Sequence, residues 1–181
     1  MKLVPYLHSA FVRYHREGVP PFRALVMDHP QDPRTWAVDD QFLVGESLLV
    51  APVVGNALER EVYLPEGEWY SYWSGQRYDG KQSIKVAAPL EQIPIFVKSG
   101  TLLPLAQPTL HTADSASYRL TAQVYGAGSA SASVYEDEGS APASLSEVRL
   151  SWDASSKAGS VHREGPPHTP QYKVIDWETI A

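Results

Sequence analysis

Five carboxylates, Asp28, Asp32, Asp39, Asp40 and Glu46, crowd one short stretch of this chain. Hydrolysis of a glycosidic bond needs two carboxylates flanking it, one of them with a raised pKa in a mostly dry pocket, so this stretch is weighed first. Structural uses weigh more. Asp32 sits in a proline-bounded loop, and Asp39-Asp40 stand where acids favour the first turn of a helix. Arg23, inside an apolar run, requires one of these acids as its partner. Further on, Tyr135-Glu136-Asp137-Glu138-Gly139 reads as a hairpin turn with its acids pointing to water, calcium binding being the weaker alternative. The densest aromatic cluster is Trp69, Tyr70, Tyr72 and Trp73. Strand alternation puts Trp69 and Trp73 on one face and Tyr70 and Tyr72 on the other. Exposed rings stack on sugar faces, although core packing of at least one pair is the stronger expectation. Trp69 and Trp73 are therefore the candidate substrate-binding residues, with no catalytic and no metal-binding residue assigned.

Other chemistries lack their signatures. The six histidines stand at positions 8, 15, 29, 111, 162 and 168, and no pair has the spacing of a metal-binding helix. There is no nucleophile elbow and no phosphate-cradling glycine loop. Zero cysteines exclude disulfides and thiol chemistry. No cofactor is implied. Fifteen Lys+Arg against twenty-one Asp+Glu give a net charge of -6 without a basic stripe, which argues against nucleic acid. No apolar run approaches the roughly 18 residues that span a bilayer, and Pro5, His8 and Arg13 interrupt the N-terminus where a signal peptide would be apolar. The chain reads as soluble, with its compartment open.

The elements that would position these residues fall into two styles. Leu3, Leu7, Phe11 and Tyr14 recur at helical spacing and Gly18 sits at a helix stop, yet no Ser, Thr, Asp or Asn precedes the pattern as a cap. Residues 22–27 (FRALVM) predict one buried strand, residues 35–44 a short helix ending at Gly45, and residues 47–54 another strand. From residue 58 onward, short β runs (EREVYLP, EWYSYWS, QSIKVAAP, IPIFVKSGTLLPL, YRLTAQVYG, SASVYEDEG, EVRLSWD) alternate with Gly, Pro and Asn/Asp, the pattern of an antiparallel sandwich. A Ser/Ala/Thr-rich stretch over residues 107–117 marks an internal boundary. The fold class is mainly β: antiparallel β-sandwich domains preceded by a helix-strand-helix segment, divided as 1–46, 47–107 and 108–181.

Three segments in order, LVPYLHSAFVRYHREGVPPFRALVMDHPQDPRTWAVDDQFLVGESLLVAPVV, EREVYLPEGEWYSYWSGQRYDG and VAAPLEQIPIFVKSGTLLPL, resemble the C-terminal part of glycoside hydrolase family 31, which includes α-glucosidases and α-xylosidases. The likeness runs from Leu3 to Leu105 and continues more faintly around VYEDEG. It implies that residues 1–46 are a remnant of a (β/α)8 barrel, with 3–18 a late helix, 22–27 its last strand and 35–45 a closing helix. Residues 47–107 would be a proximal and 108–181 a shortened distal C-terminal β-sandwich, the excursion between Gly139 and Glu147 being shorter than usual. The family retains configuration with an Asp nucleophile and an Asp acid/base, and the resemblance places both upstream of this segment. No residue here matches either motif.

The resemblance thus implies part of a retaining α-glycosidase acting on terminal α-linked sugars, this chain giving structural support and binding carbohydrate only in the complete enzyme. Its partner would be the upstream barrel portion, or a second copy met through the exposed barrel remnant. Two other readings stand beside it: a stand-alone carbohydrate-binding or scaffold module using Trp69 or Trp73, and a fragment without activity of its own.

Overall fold

Short apolar runs broken by glycine and proline leave little room for long helices, and the chain forms 14 strands with two α-helical segments and one 3-10 helix among the described residues. A computed structural model describes residues 2–55, 57–108, 118–136, 145–165 and 172–181. The mainly β, antiparallel class holds. None of the described helices is long and apolar enough to cross a membrane. The residues fall into two compact units, Val19–Ser99 and Met1–Gly18 with Gly100–Ile180. These limits differ from the expected boundaries after residues 46 and 107, the second of which adjoins residues outside the described set.

In the unit Val19–Ser99, six strands form one sheet in the order β1 (Phe22–Ala24), β2 (Phe42–Val44), β3 (Leu48–Val50), β8 (Ile95–Lys98), β5 (Glu68–Ser71), β6 (Arg77–Asp79). A two-stranded ribbon pairs β4 (Glu59–Leu64) with β7 (Gln82–Ala87). Leu25, Leu43, Leu49, Ala51, Val62, Leu64, Trp69 and Phe96 close the core between them. Each such large side chain contributes about 1.5–3 kcal/mol relative to leaving it in water.

Two expected elements change here. The strand of residues 22–27 stops at Ala24, and Leu25–Asp28 form a single helical turn, α2. Strand β1 pairs antiparallel with β2, Phe22 opposite Val44, within the six-stranded sheet. The helix expected over residues 35–44 is a 3-10 helix, Pro33–Ala37, followed by β2. Thr35 binds its hydroxyl back to the His29 and Asp32 carbonyls at 3.0 and 2.8 Å, which closes the turn before α-helical bonds can propagate.

The other unit begins with α1 (Val4–Glu17), which has Pro5 in its first turn, no side-chain cap, and Gly18 at φ 73 donating its N–H to the Tyr14 carbonyl. It packs on β9 (Thr101–Ala106) and β11 (Ala130–Glu136), and Arg16 lies 4.9 Å over the Tyr135 ring. Phe11 and Tyr14, on the stripe that periodicity would bury, are 49% and 51% exposed. Two three-stranded sheets follow. One orders β14 (Tyr172–Ile180), β10 (Tyr118–Tyr125) and β9, the first pair parallel; the other orders β11, β12 (Ser146–Asp153) and β13 (Ala158–Glu164). Leu102, Leu120, Val124, Val134, Val148 and Leu150 fill their core, flanked by the stacked rings of Trp152 and Trp177. Gly159 lets the Trp177 ring lie against the backbone of β13, because a Cβ at that position would overlap the indole.

Glu136 corrects another expectation. The last residue of β11 is 1% exposed, and its carboxylate accepts the Tyr172 N–H at 2.6 Å, with Arg163 Nε 3.7 Å away. It ties β11 to β14 instead of facing water, since a buried carboxylate is tolerable only where donors meet it. Asp137, Glu138 and Gly139, and with them the calcium alternative and the shortened excursion, lie outside the described residues.

Candidate functional site

Loop chemistry in residues 28–37 builds the site. The single turn α2 ends with His29 N–H on the Leu25 carbonyl at 3.0 Å, and Asp32 N–H then binds the His29 carbonyl at 3.1 Å. Asp32 caps the 3-10 helix, its Oδ1 accepting from the Arg34 N–H at 3.1 Å. Pro30 and Pro33 fix two φ angles in the same loop, so its shape is set before any ligand arrives.

Behind the loop, Arg23 is 6% exposed and fully engaged. Its Nε and Nη2 donate to the two Asp28 oxygens at 2.8 and 2.6 Å, and further N–H groups reach the Pro20 and Gly45 carbonyls, both at 2.9 Å. The acid partner expected for Arg23 is therefore Asp28. Hydrogen bonding to that guanidinium holds the Asp28 carboxyl below its ordinary value, against the opposing effect of burial.

Strand β4 supplies the opposite wall through Tyr63. The buried Gln41 amide grips the Tyr63 backbone on both sides, accepting its N–H at 3.0 Å and donating to its carbonyl at 2.6 Å, as a neighbouring strand would. The Tyr63 hydroxyl donates to Asp32 Oδ2, and the Arg34 guanidinium lies 5.5 Å over the ring. Burial and the Asp32 charge push that hydroxyl up to about 12. Between loop and strand opens a cleft of about 590 Å³ lined by residues 28–34, Tyr63, Glu66 and Lys81. Lys81, in the left-handed backbone region at φ 58, pairs with Glu66 at 3.0 Å. Burial, reinforced by the Lys98 charge, lowers the His29 pKa.

The remaining acids of the cluster stand apart from the cleft. Asp40 pairs with Arg60 at 3.0 Å. Asp39 and Glu46 are exposed, Glu46 in the turn joining β2 to β3, and neither Asp39 nor Asp40 begins a helix, because the 3-10 helix ends at Ala37. Among the described residues no group of three or more His, Asp or Glu could hold a metal ion.

The two candidate tryptophans separate. Trp69, in mid-sheet between β8 and β6, is 1% exposed and donates its Nε1–H to the Pro65 carbonyl at 2.9 Å. It is a core residue with no ring face open to a ligand. Strand β5 ends at Ser71, so alternation does not carry to Trp73, which lies in the following turn, is 48% exposed and donates to the Ile93 carbonyl at 2.7 Å. Tyr70 is buried beside Trp69 in the same strand, and the faces therefore do not sort as indoles against phenols. Tyr63, Trp36, Glu66 and Lys81 were not singled out by sequence. A capping Asp between two prolines, followed closely by a tryptophan, was the available signal for part of this set.

The described residues thus form β-sheets whose core takes up Trp69, with a polar cleft on a loop fixed by two prolines and a cap. Residues 18–103 match the family described as glycosyl hydrolase family 31 C-terminal domain. Alpha-glucosidase 2 of Bacillus thermoamyloliquefaciens is 35% identical over 139 residues, covering 75% of this chain and 18% of that protein. The solved α-xylosidase of Xanthomonas citri in this family superposes with TM-score 0.87 at 32% identity, over 99% of this chain and 20% of that one. A Flavobacterium johnsoniae dextranase of the family, solved in complex with isomaltotriose, gives TM-score 0.83 at 34% identity, over 93% of this chain and 22% of that one. The chain belongs to glycoside hydrolase family 31 and corresponds to its C-terminal part. It spans about a fifth of the length of these relatives.

Proposed function

We propose that this chain is the structural C-terminal part of a retaining α-glycosidase that hydrolyses terminal α-linked sugars, with the catalytic carboxylates carried by a barrel upstream of it. The observation that carries this reading is the use made of its own acids. A general acid for glycoside cleavage needs a raised pKa, whereas the Arg23 guanidinium lowers that of Asp28, and Asp32, Asp40 and Glu136 are each bonded to a neighbouring strand or loop. The relatives' names supply the substrate class, α-linked glucosides, xylosides and dextran. In this reading α1 descends from the end of the barrel, and the sandwich strands brace it from outside the reaction centre.

The purified chain is expected to release no chromophore from aryl α-glucosides or aryl α-xylosides beyond buffer, while a chimera in which it replaces the corresponding part of a family α-glucosidase hydrolyses the glucoside. Turnover by the chain alone would overturn the upstream placement. An inactive but folded chimera would overturn the supporting role.

Partnership follows from the same reading. Val4, Phe11 and Tyr14 leave apolar surface on α1 about half exposed, which in the longer enzyme would be covered by the barrel. The isolated chain is expected to self-associate at micromolar concentration, or to dimerise with an added barrel portion. Light scattering that returns a monodisperse monomer in both cases would refute this.

Trp73 favours a second reading, that of a stand-alone carbohydrate-binding module, because its indole N–H is already bonded to Ile93 and its ring is open to water. Binding of sugar by the chain that vanishes in Trp73→Ala is the outcome that distinguishes it.

A further inference from the structure

We propose that the cleft between residues 28–34 and Tyr63, Glu66 and Lys81, with the Trp36 indole at its Pro30 rim, binds a neutral oligosaccharide. The proposal rests on the sugar-handling reading above and adds a site within the unit Val19–Ser99. Three observations carry it.

The first is charge. Asp28, Asp32 and Glu66 line the cleft with Arg34 and Lys81, Asp28 is paired with Arg23 behind the loop, Lys81 is paired with Glu66, and Lys98 is near enough to act on His29. His29 adds no charge at neutral pH, since burial and Lys98 favour its uncharged form. The ion pairs Arg23–Asp28 and Lys81–Glu66 leave little single-sign charge for a small ion to neutralise. Hydroxyl groups would find both acceptor lone pairs and N–H donors, which is the chemistry of a polyol ligand.

The second is the platform. Trp36 is 64% exposed, the most open of the described indoles, yet its Nε1–H is fixed on the Pro30 carbonyl at 3.0 Å. That bond satisfies the polar edge and ties the ring to Pro30, a residue that lines the cleft, with most of the apolar ring in water and available to a pyranose C–H face. Elsewhere in the unit the buried Trp69 shows the opposite solution, its ring consumed by the core.

The third is rigidity and size. The Thr35 hydroxyl, the Asp32 cap, two prolines and the Gln41 clamp on Tyr63 fix the walls in advance, so binding need not order them. About 590 Å³ lies within the range of small-molecule sites.

The test titrates the 181-residue chain with isomaltotriose and, separately, with inorganic phosphate, by calorimetry and tryptophan fluorescence. Saturable binding of the trisaccharide is expected, weakened about tenfold in Trp36→Ala and measurably in Glu66→Gln, with the melting temperature of both variants unchanged because both side chains lie largely in water. Absence of saturable binding at millimolar trisaccharide overturns the proposal. So does binding that survives both substitutions, or displacement of the sugar by phosphate, which would make the cleft an anion site. Because the titration needs no catalysis and the chimera assay reads hydrolysis alone, failure of one leaves the other standing.

Discussion

Arg23→Ala will cost the unit Val19–Ser99 about 3 kcal/mol, and the penalty will shrink as the pH falls. Removing one partner of a buried ion pair costs about 3–5 kcal/mol because the other is left uncompensated, and the lower end applies here since the Asp28 side chain is 33% exposed. The Pro20 and Gly45 carbonyls lose their donors at the same time. For a unit of this size the change lowers the melting temperature by about 10 °C or more.

The pH dependence carries a definite sign. In the native chain the Asp28 pKa is lowered in the folded state, so its contribution to stability is present above the ordinary value of 3.8 and is lost as pH falls through the lowered folded value. Without the guanidinium, burial is the dominant influence that remains, and it raises the pKa. Asp28 then opposes folding at neutral pH, and protonation relieves it. Urea denaturation followed by tryptophan fluorescence should therefore show a wild-type advantage that is widest near neutrality and narrows toward pH 3.5, with Arg23→Ala/Asp28→Asn recovering part of the loss. An advantage that is constant across this range would show that the pair is not what Arg23 contributes.

Arg23 was legible in the sequence because a cation inside an apolar run has few solutions, and a carboxylate five residues on, past a single turn, is one of them. The β runs were legible for a similar reason: alternation and turn residues are local. What failed was whatever depends on partners distant in sequence. Glu136 looked like a turn acid because Tyr172, which donates to it, is 36 residues away and not foreseeable from the local pattern. Phe22 is paired with Val44, a partner 22 residues on that the local pattern does not name. The loop of residues 28–34 showed its proline and capping signals plainly, but its opposite wall, Tyr63, is placed by Gln41 from 22 residues upstream. A cleft made by two segments of unrelated sequence leaves no contiguous motif.

The tryptophans give the sharpest contrast between pattern and packing, and the second large effect. Trp69→Ala is expected to destabilise the unit Val19–Ser99 by about 3–5 kcal/mol, the range for removing a buried indole, through the cavity left among Leu49, Val62, Leu64 and Phe96 and the orphaned Pro65 carbonyl. Trp73→Ala should fall within about 0.5–1 kcal/mol of wild type, because its ring is already half in water and water replaces its bond to the Ile93 carbonyl. Two residues four apart in one aromatic cluster thus differ in energetic weight by several-fold, since β5 ends between them and only the first is held between neighbouring strands. Paired denaturation curves decide the matter. Similar losses for the two variants would mean that Trp73 is covered in solution, and a small loss for Trp69→Ala would mean that the core of this unit can close over the volume of an indole.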